Sequence, residues 1–129
     1  MPIISHTEGN VTQLEGCKMV TTEIGGKKAS KLWIEPGFDW RCVCKPILPG
    51  CPDWCPATHF GFIEKGCMKI QYEDPDRPDE VIKAGETYFV PPGHIPIIEG
   101  PETCVMVEFA ESANKVYENI DKTAPPPWE

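Results

Sequence analysis

Residues 85–94 read GETYFVPPGH, and this stretch decides the fold. Thr87–Val90 is rich in aromatic and β-branched side chains, the composition of a short strand. Pro91 and Pro92 then fix φ and withhold two backbone donors, which no helix interior tolerates. Gly93 permits conformations closed to other residues. The segment therefore reads as strand, rigid turn and second strand, with His94 held at the turn.

The same grammar extends in both directions. Fifteen prolines and eleven glycines make up about a fifth of the 129 residues. They separate nine short segments with strand character: Met19–Ile24, Ala29–Ile34, Trp40–Lys45, His59–Glu64, Met68–Glu73, Glu80–Lys83, Thr87–Val90, Pro96–Glu99 and Cys104–Phe109. Many short strands with turn signals between them predict an all-β antiparallel sandwich or barrel. Helical spacing occurs at Ser112–Ile120, where Ala113, Val116 and Tyr117 share a face. Pro46–Pro56 and Asp74–Asp79 read as loops, and Thr123–Glu129 as an extended Pro-rich tail.

Composition narrows the function classes. A chain of 129 residues with 40% hydrophobic and 25% charged residues is an ordinary single globular domain. No apolar run is long enough to span a membrane. The N-terminal MPIISHTEGN lacks a basic patch followed by an apolar stretch, so a cytoplasmic location is expected. Twelve basic residues against twenty acidic ones give a net charge of −8, which disfavours a nucleic-acid partner. Seven cysteines, an odd number without secretory context, are expected to be reduced.

The residues that can carry chemistry are few. Of the three histidines, His6 sits in a polar stretch and is expected to be exposed, His59 opens a strand, and His94 follows the rigid Pro91-Pro92-Gly93 turn between two strands. In an extended chain, Asp53, Cys55, Ala57 and His59 share one face. Asp, Cys and His are all metal-ligand types, and C-x3-H needs a further ligand from a distant strand, for which His94 is the candidate. Cys42 and Cys44 would share a strand face with Trp40, which reads as core packing. Glu64 and Glu108 are candidate buried carboxylates, although a charged residue lining a strand is more often solvated.

These positions resemble the motifs of the cupin superfamily. Its second motif, G-x5-P-x-G-x2-H-x3-N, is matched by Gly85, Pro91 and Gly93. In its first motif, with Gly66 as the closing glycine, His59 stands in the slot of the ligand glutamate and Cys55 and Asp53 in those of the two histidines. The departures are Pro96 and Gly100 in the histidine and asparagine slots of the second motif, and Ile47 in the opening glycine slot of the first. His94 stands two residues early. A narrower group of single-domain cupins is matched by Glu35-Pro36-Gly37-Phe38, Lys45-Pro46, Cys55-x3-His59, Gly66, Pro91-Pro92-Gly93-His94 and Val107-Glu108-Phe109. There Phe62 replaces a tyrosine, and Ile95-Pro96-Ile97 replaces polar and tryptophan residues.

The resemblance covers about residues 22–119 of a single domain spanning 1–129, with 120–129 as tail. It implies a cupin-type antiparallel β-barrel (a double-stranded β-helix or jelly roll) with a short C-terminal helix. It further implies a divalent transition-metal site at the barrel mouth, zinc or iron, held by Cys55, His59 and His94. Asp53 would be a fourth ligand or stand behind the others. Relatives include dioxygenases, isomerases and lyases, so a small metalloenzyme acting on a small organic substrate is expected, with a non-enzymatic ligand or metal binder as the alternative. Apolar Ile95, Pro96, Ile97 and Ile98, with Trp54 and Phe62, are expected either to wall a partly apolar ligand or simply to fill the barrel core. Family habit implies a homodimer through sheet contacts.

Overall fold

The computed structural model describes residues 3–111. The helix expected at 112–120 and the Pro-rich tail lie outside them. Among the described residues nine strands run in chain order: β1 (Asn10–Leu14), β2 (Cys17–Ile24), β3 (Lys27–Ile34), β4 (His59–Lys65), β5 (Cys67–Tyr72), β6 (Glu80–Lys83), β7 (Thr87–Val90), β8 (His94–Ile97) and β9 (Cys104–Glu111). They form a six-stranded sheet in the order β1-β2-β3-β9-β4-β7 and a three-stranded sheet in the order β6-β5-β8. All pairings are antiparallel.

Period-two alternation sets the interior. His59, Gly61 and Ile63 of β4, Met68, Ile70 and Tyr72 of β5, and Tyr88 and Val90 of β7 are buried, while their sequence neighbours are more exposed. Leu32 and Ile34 of β3 and Cys104 and Met106 of β9 complete a core shared by both sheets. Each fully buried aliphatic side chain contributes about 1.5–3 kcal/mol through removal from water. Among the described residues, no helix is long and apolar enough to cross a membrane.

Three features differ from the sequence reading. Trp40–Lys45 is not a strand: α1 (Trp40–Val43) is a single helical turn, followed by a 3-10 turn at Lys45–Ile47. Asp39 explains the change, because its carboxylate accepts from the backbone N–H groups of Arg41 at 3.0 Å and Cys42 at 3.2 Å and so caps the turn. Helical spacing then buries Trp40 and Cys44 and exposes Cys42, so the two cysteines do not share a face. The strand expected at Pro96–Glu99 begins instead at His94. Pro96 is tolerated because β8 is an edge strand. Finally, β1 was not expected, and the sheet begins at Asn10 rather than at Met19. Its edge position leaves Val11 exposed and blurs the alternation.

Candidate metal centre

Both sheets contribute to one buried cluster. His59 opens β4 of the large sheet, and His94 opens β8 of the small one. Cys55 lies in the loop before β4 and is strapped to the His94 turn by a backbone pair. The Cys55 N–H donates to the His94 carbonyl at 2.8 Å, and the Gly93 N–H donates to the Cys55 carbonyl at 2.8 Å. Gly93 has φ +89°, a left-handed conformation that favours glycine and turns the chain into this contact.

The side chains converge. One ligand-type atom from each of Cys55, His59 and His94 lies within 4.8 Å of the other two. Cys55 Sγ is 3.6 Å from His59 Nε2, and the imidazole rings meet edge to face with centroids 4.9 Å apart. The residues are 1%, 6% and 2% exposed, so bulk water barely reaches them.

Each imidazole is oriented through Nδ1. His94 Nδ1 lies 2.7 Å from the Pro91 carbonyl, which only accepts, so Nδ1 carries the proton and Nε2 is the remaining ring nitrogen. His59 Nδ1 lies 2.8 Å from Glu108 Oε1. The other carboxylate oxygen, Oε2, accepts from the Tyr88 hydroxyl at 2.6 Å. Carboxylates and carbonyls in these positions fix the tautomer of a ligating histidine and raise its basicity.

Gly61 makes room for the Tyr88–Glu108 bridge. It pairs with Tyr88 on β7 and with Glu108 on β9, so the bridge spans the strand on which Gly61 lies. A Cβ on Gly61 would come within 2.1 Å of the Val107 carbonyl oxygen, so this position admits only glycine without backbone movement.

The electrostatics follow from these contacts. Burial alone would push the Cys55 thiol up, but hydrogen bonds and charge from His59 and His94 outweigh it and hold the pKa down to about 6. Burial alone would lower His59; the charge of Glu108, with Cys55, reverses this and raises it to about 10. Burial likewise opposes ionisation of Glu108, yet the adjacent His59 holds its carboxyl below the ordinary range. Cys17 and Cys104, buried beside no imidazole, are instead pushed up to about 12.

A cavity of about 20 Å³ adjoins the cluster. Cys55, His59, His94, Tyr88 and Glu108 line its polar side, and Ile34, Met68, Ile70, Val90, Pro96 and Met106 its apolar side. This volume accommodates one or two water-sized groups.

Of the four residues expected as ligands, the fold gathers Cys55, His59 and His94. Asp53 is outside the cluster. It is exposed, its carboxylate pairs with Lys45, and its carbonyl accepts from Arg41 Nε at 2.9 Å. The Lys45 ammonium holds its carboxyl below the ordinary range. The alternation that buries Cys55, Ala57 and His59 does not extend back to Asp53, because the chain before Cys55 is not extended strand. The expected apolar wall is also mostly elsewhere: Trp54 stacks under the Arg41 guanidinium at 4.5 Å, and Phe62 packs on Phe109 outside the barrel. Only Pro96 of that set lines the cavity.

Two contributors were not assigned from sequence, Tyr88 and the orienting role of Glu108. Strand parity carried the signal. Glu108 follows the inward Cys104 and Met106 by even steps, and Tyr88 precedes the inward Val90 by two.

No family model matches the sequence, and no curated protein matches it. Solved structures do resemble it. Oxalate decarboxylase from Lactobacillus farciminis, in a formate complex, superposes with a TM-score of 0.60 at 15% identity, over 84% of this chain and 32% of its own. The polyketide cyclase RemF from Streptomyces resistomycificus gives 0.59 at 16% identity, over 87% of this chain and 80% of its own. Fe(II)-HppE with the alternative substrate (S)-1-HPP gives 0.59 at 9% identity, over 84% and 59%. The chain therefore spans about a third of the decarboxylase and under two thirds of HppE. At these identities the likeness establishes the fold: the chain folds as a cupin barrel.

Proposed function

We propose that Cys55, His59 and His94 hold a divalent transition metal, and that the protein is a small metalloenzyme acting on a small organic substrate. One observation carries this reading. Both imidazoles spend Nδ1 on an oxygen acceptor, so two Nε2 atoms and a low-pKa sulfur are left for a common point. Two imidazoles and a thiolate are a mixed borderline and soft donor set, which suits zinc or iron(II) and disfavours calcium or magnesium. Three protein ligands leave positions open, as catalytic sites do and structural zinc sites do not.

Such a metal, when bound, supplies Lewis acidity to a substrate oxygen. The chain's own residues supply the rest. Glu108 keeps the proton on His59 Nδ1 and stabilises charge there. Tyr88 shares the carboxylate and presents a hydroxyl at the cavity, where it can give up or take a proton from a substrate atom. The apolar wall excludes water and strengthens these polar interactions.

The neighbouring folds are those of a decarboxylase, a cyclase and an iron(II) protein, which keeps dioxygenase, isomerase and lyase chemistry in view. A cytoplasmic location accords with seven cysteines outside disulfides. A second reading, a non-enzymatic metal or small-ligand binder, is favoured by the cavity's size, which admits only the reacting end of a substrate.

Elemental analysis of tag-free protein, beside Cys55→Ser and His94→Ala, tests the metal. About one equivalent in the parent and almost none in both variants is expected. Full metal content in either variant refutes the ligand set. Metal-dependent turnover of small keto and hydroxy acids or phenols, lost in Tyr88→Phe with metal retained, separates enzyme from binder.

A further inference from the structure

The residues around Cys55 also form an arrangement that needs no metal. Sγ lies 3.6 Å from His59 Nε2. His59 is held from behind by Glu108 at 2.8 Å, and Glu108 by Tyr88. A sulfur nucleophile, a base within reach and an acid orienting that base are the three parts of an activated thiol. Among the described residues, Cys55 alone among the cysteines has a hydrogen-bonded imidazole. Cys55 and His59 both line the small cavity, which admits one or two small atoms.

We propose that Cys55 of the metal-free protein is a modification site, oxidised to a sulfenic acid by a small hydroperoxide that enters this cavity. The step uses only the chain and the peroxide. The Cys55 proton passes to His59 Nε2. A sulfur electron pair attacks the nearer peroxide oxygen, so an S–O bond forms as the O–O bond breaks. The departing hydroxide (an alkoxide where the peroxide carries an alkyl group) takes the proton from His59 and leaves as water or the alcohol. Sulfur loses two electrons and the peroxide gains them. The choice of a small hydroperoxide follows from the cavity, which has no room for a bulky alkyl group. The product no longer offers a thiolate, so peroxide and metal compete for one atom. This competition rests on the metal reading above; the oxidation itself does not.

Exposure and geometry make opposite forecasts, which gives the test its force. Cys42, Cys51 and Cys67 are exposed, and Cys55 is buried. Chelator-treated protein is exposed briefly to one equivalent of hydrogen peroxide, quenched, unfolded in dimedone, and mapped by peptide mass. Cys55 is expected to be labelled about tenfold faster than the exposed three, as an activated thiol should be. Cumene hydroperoxide is expected to lose that preference. Glu108→Gln is expected to slow Cys55 and leave Cys42 unchanged, and His59→Ala to do the same more strongly. Labelling of the exposed cysteines first overturns the proposal. So does an unchanged Cys55 rate in Glu108→Gln, which is isosteric and retains the barrel even if His59→Ala does not. Zinc-loaded protein separates the two readings. Cys55 preference that zinc leaves untouched upholds the oxidation and sinks the metal centre. Zinc binding at the cluster without any Cys55 preference in the metal-free protein does the reverse.

Discussion

The two halves of the cluster are positioned by different forces. On the small-sheet side, backbone does the work: His94 is fixed by the Pro91 carbonyl, and Cys55 by two main-chain hydrogen bonds to Gly93 and His94. On the large-sheet side, side chains do it: His59 leans on Glu108, which leans on Tyr88 across Gly61. The backbone half carries no titrating partner behind its imidazole and is insensitive to single side-chain changes. The side-chain half is charged, buried and open to mutation. A centre built this way has one rigid jaw and one tunable jaw.

The largest effect should come from the ligands. Cys55→Ser and His59→Ala are expected to weaken zinc or iron(II) binding by about a hundredfold or more, read by competition with a chromogenic chelator. A loss confined to one of them would mean that the jaws do not share an ion.

Gly61→Ala comes next. Its Cβ would meet the Val107 carbonyl at 2.1 Å, so β4 or β9 must shift. A loss of about 3 kcal/mol in chemical denaturation is expected, as for overpacking without relief. Metal affinity should fall with it, because the displaced strands carry His59 and Glu108.

The tunable jaw should then separate from the rigid one. Glu108→Gln is expected to reduce metal affinity about tenfold and Tyr88→Phe by less. Pro91→Ala, which keeps the carbonyl that holds His94, is expected to change little. Equal losses from Glu108→Gln and Pro91→Ala would erase the distinction.

The pH dependence of metal-free stability should show both signs. Cys55 titrates from 9.0 unfolded down to about 6 folded, so its contribution is present above 9.0 and lost as pH falls through about 6. His59 titrates from 6.5 unfolded up to about 10 folded, so its contribution is present below 6.5 and lost as pH rises through about 10. The slopes oppose each other between 6.5 and 9.0. Thermal midpoints should therefore form a plateau there and fall on either side. Glu108→Gln should draw the alkaline limb towards neutral pH and leave the acid limb in place.

The smallest effect is expected from Asp53→Asn. The residue is exposed and touches Lys45 and Arg41 only through the loop. Metal content and cavity chemistry should be unchanged, as for a screened surface pair. A loss of metal would return Asp53 to the site.

The rigid jaw was the legible one. PPGH announces its own geometry, because proline and glycine encode backbone shape locally, and C-x3-H places Cys55 and His59 on one alternating face. Strand parity held along β4, β5 and β7 and failed at Asp53, where the chain is loop. Trp40–Lys45 misled because its residue types suit a strand, while the deciding hydrogen bonds come from Asp39, one position upstream. The tunable jaw was harder to read. Glu108 lies 49 residues from His59, and strand parity can turn a carboxylate inward but does not tell which side chain it will meet there. That depends on which strands become neighbours.

The strand order has a consequence for how the protein is made. β9 lies between β3 and β4, yet it is synthesised after the other strands of the described residues. Until it emerges, β3 and β4 each present an open edge, the kind of surface that pairs with other nascent chains. Its arrival closes both edges at once and delivers Glu108 to His59 in the same event. A ribosome-bound chain truncated before residue 104 would thus hold Cys55, His59 and His94 without the carboxylate that orients His59. Competence for chemistry and protection from aggregation would be acquired together, when β9 is made.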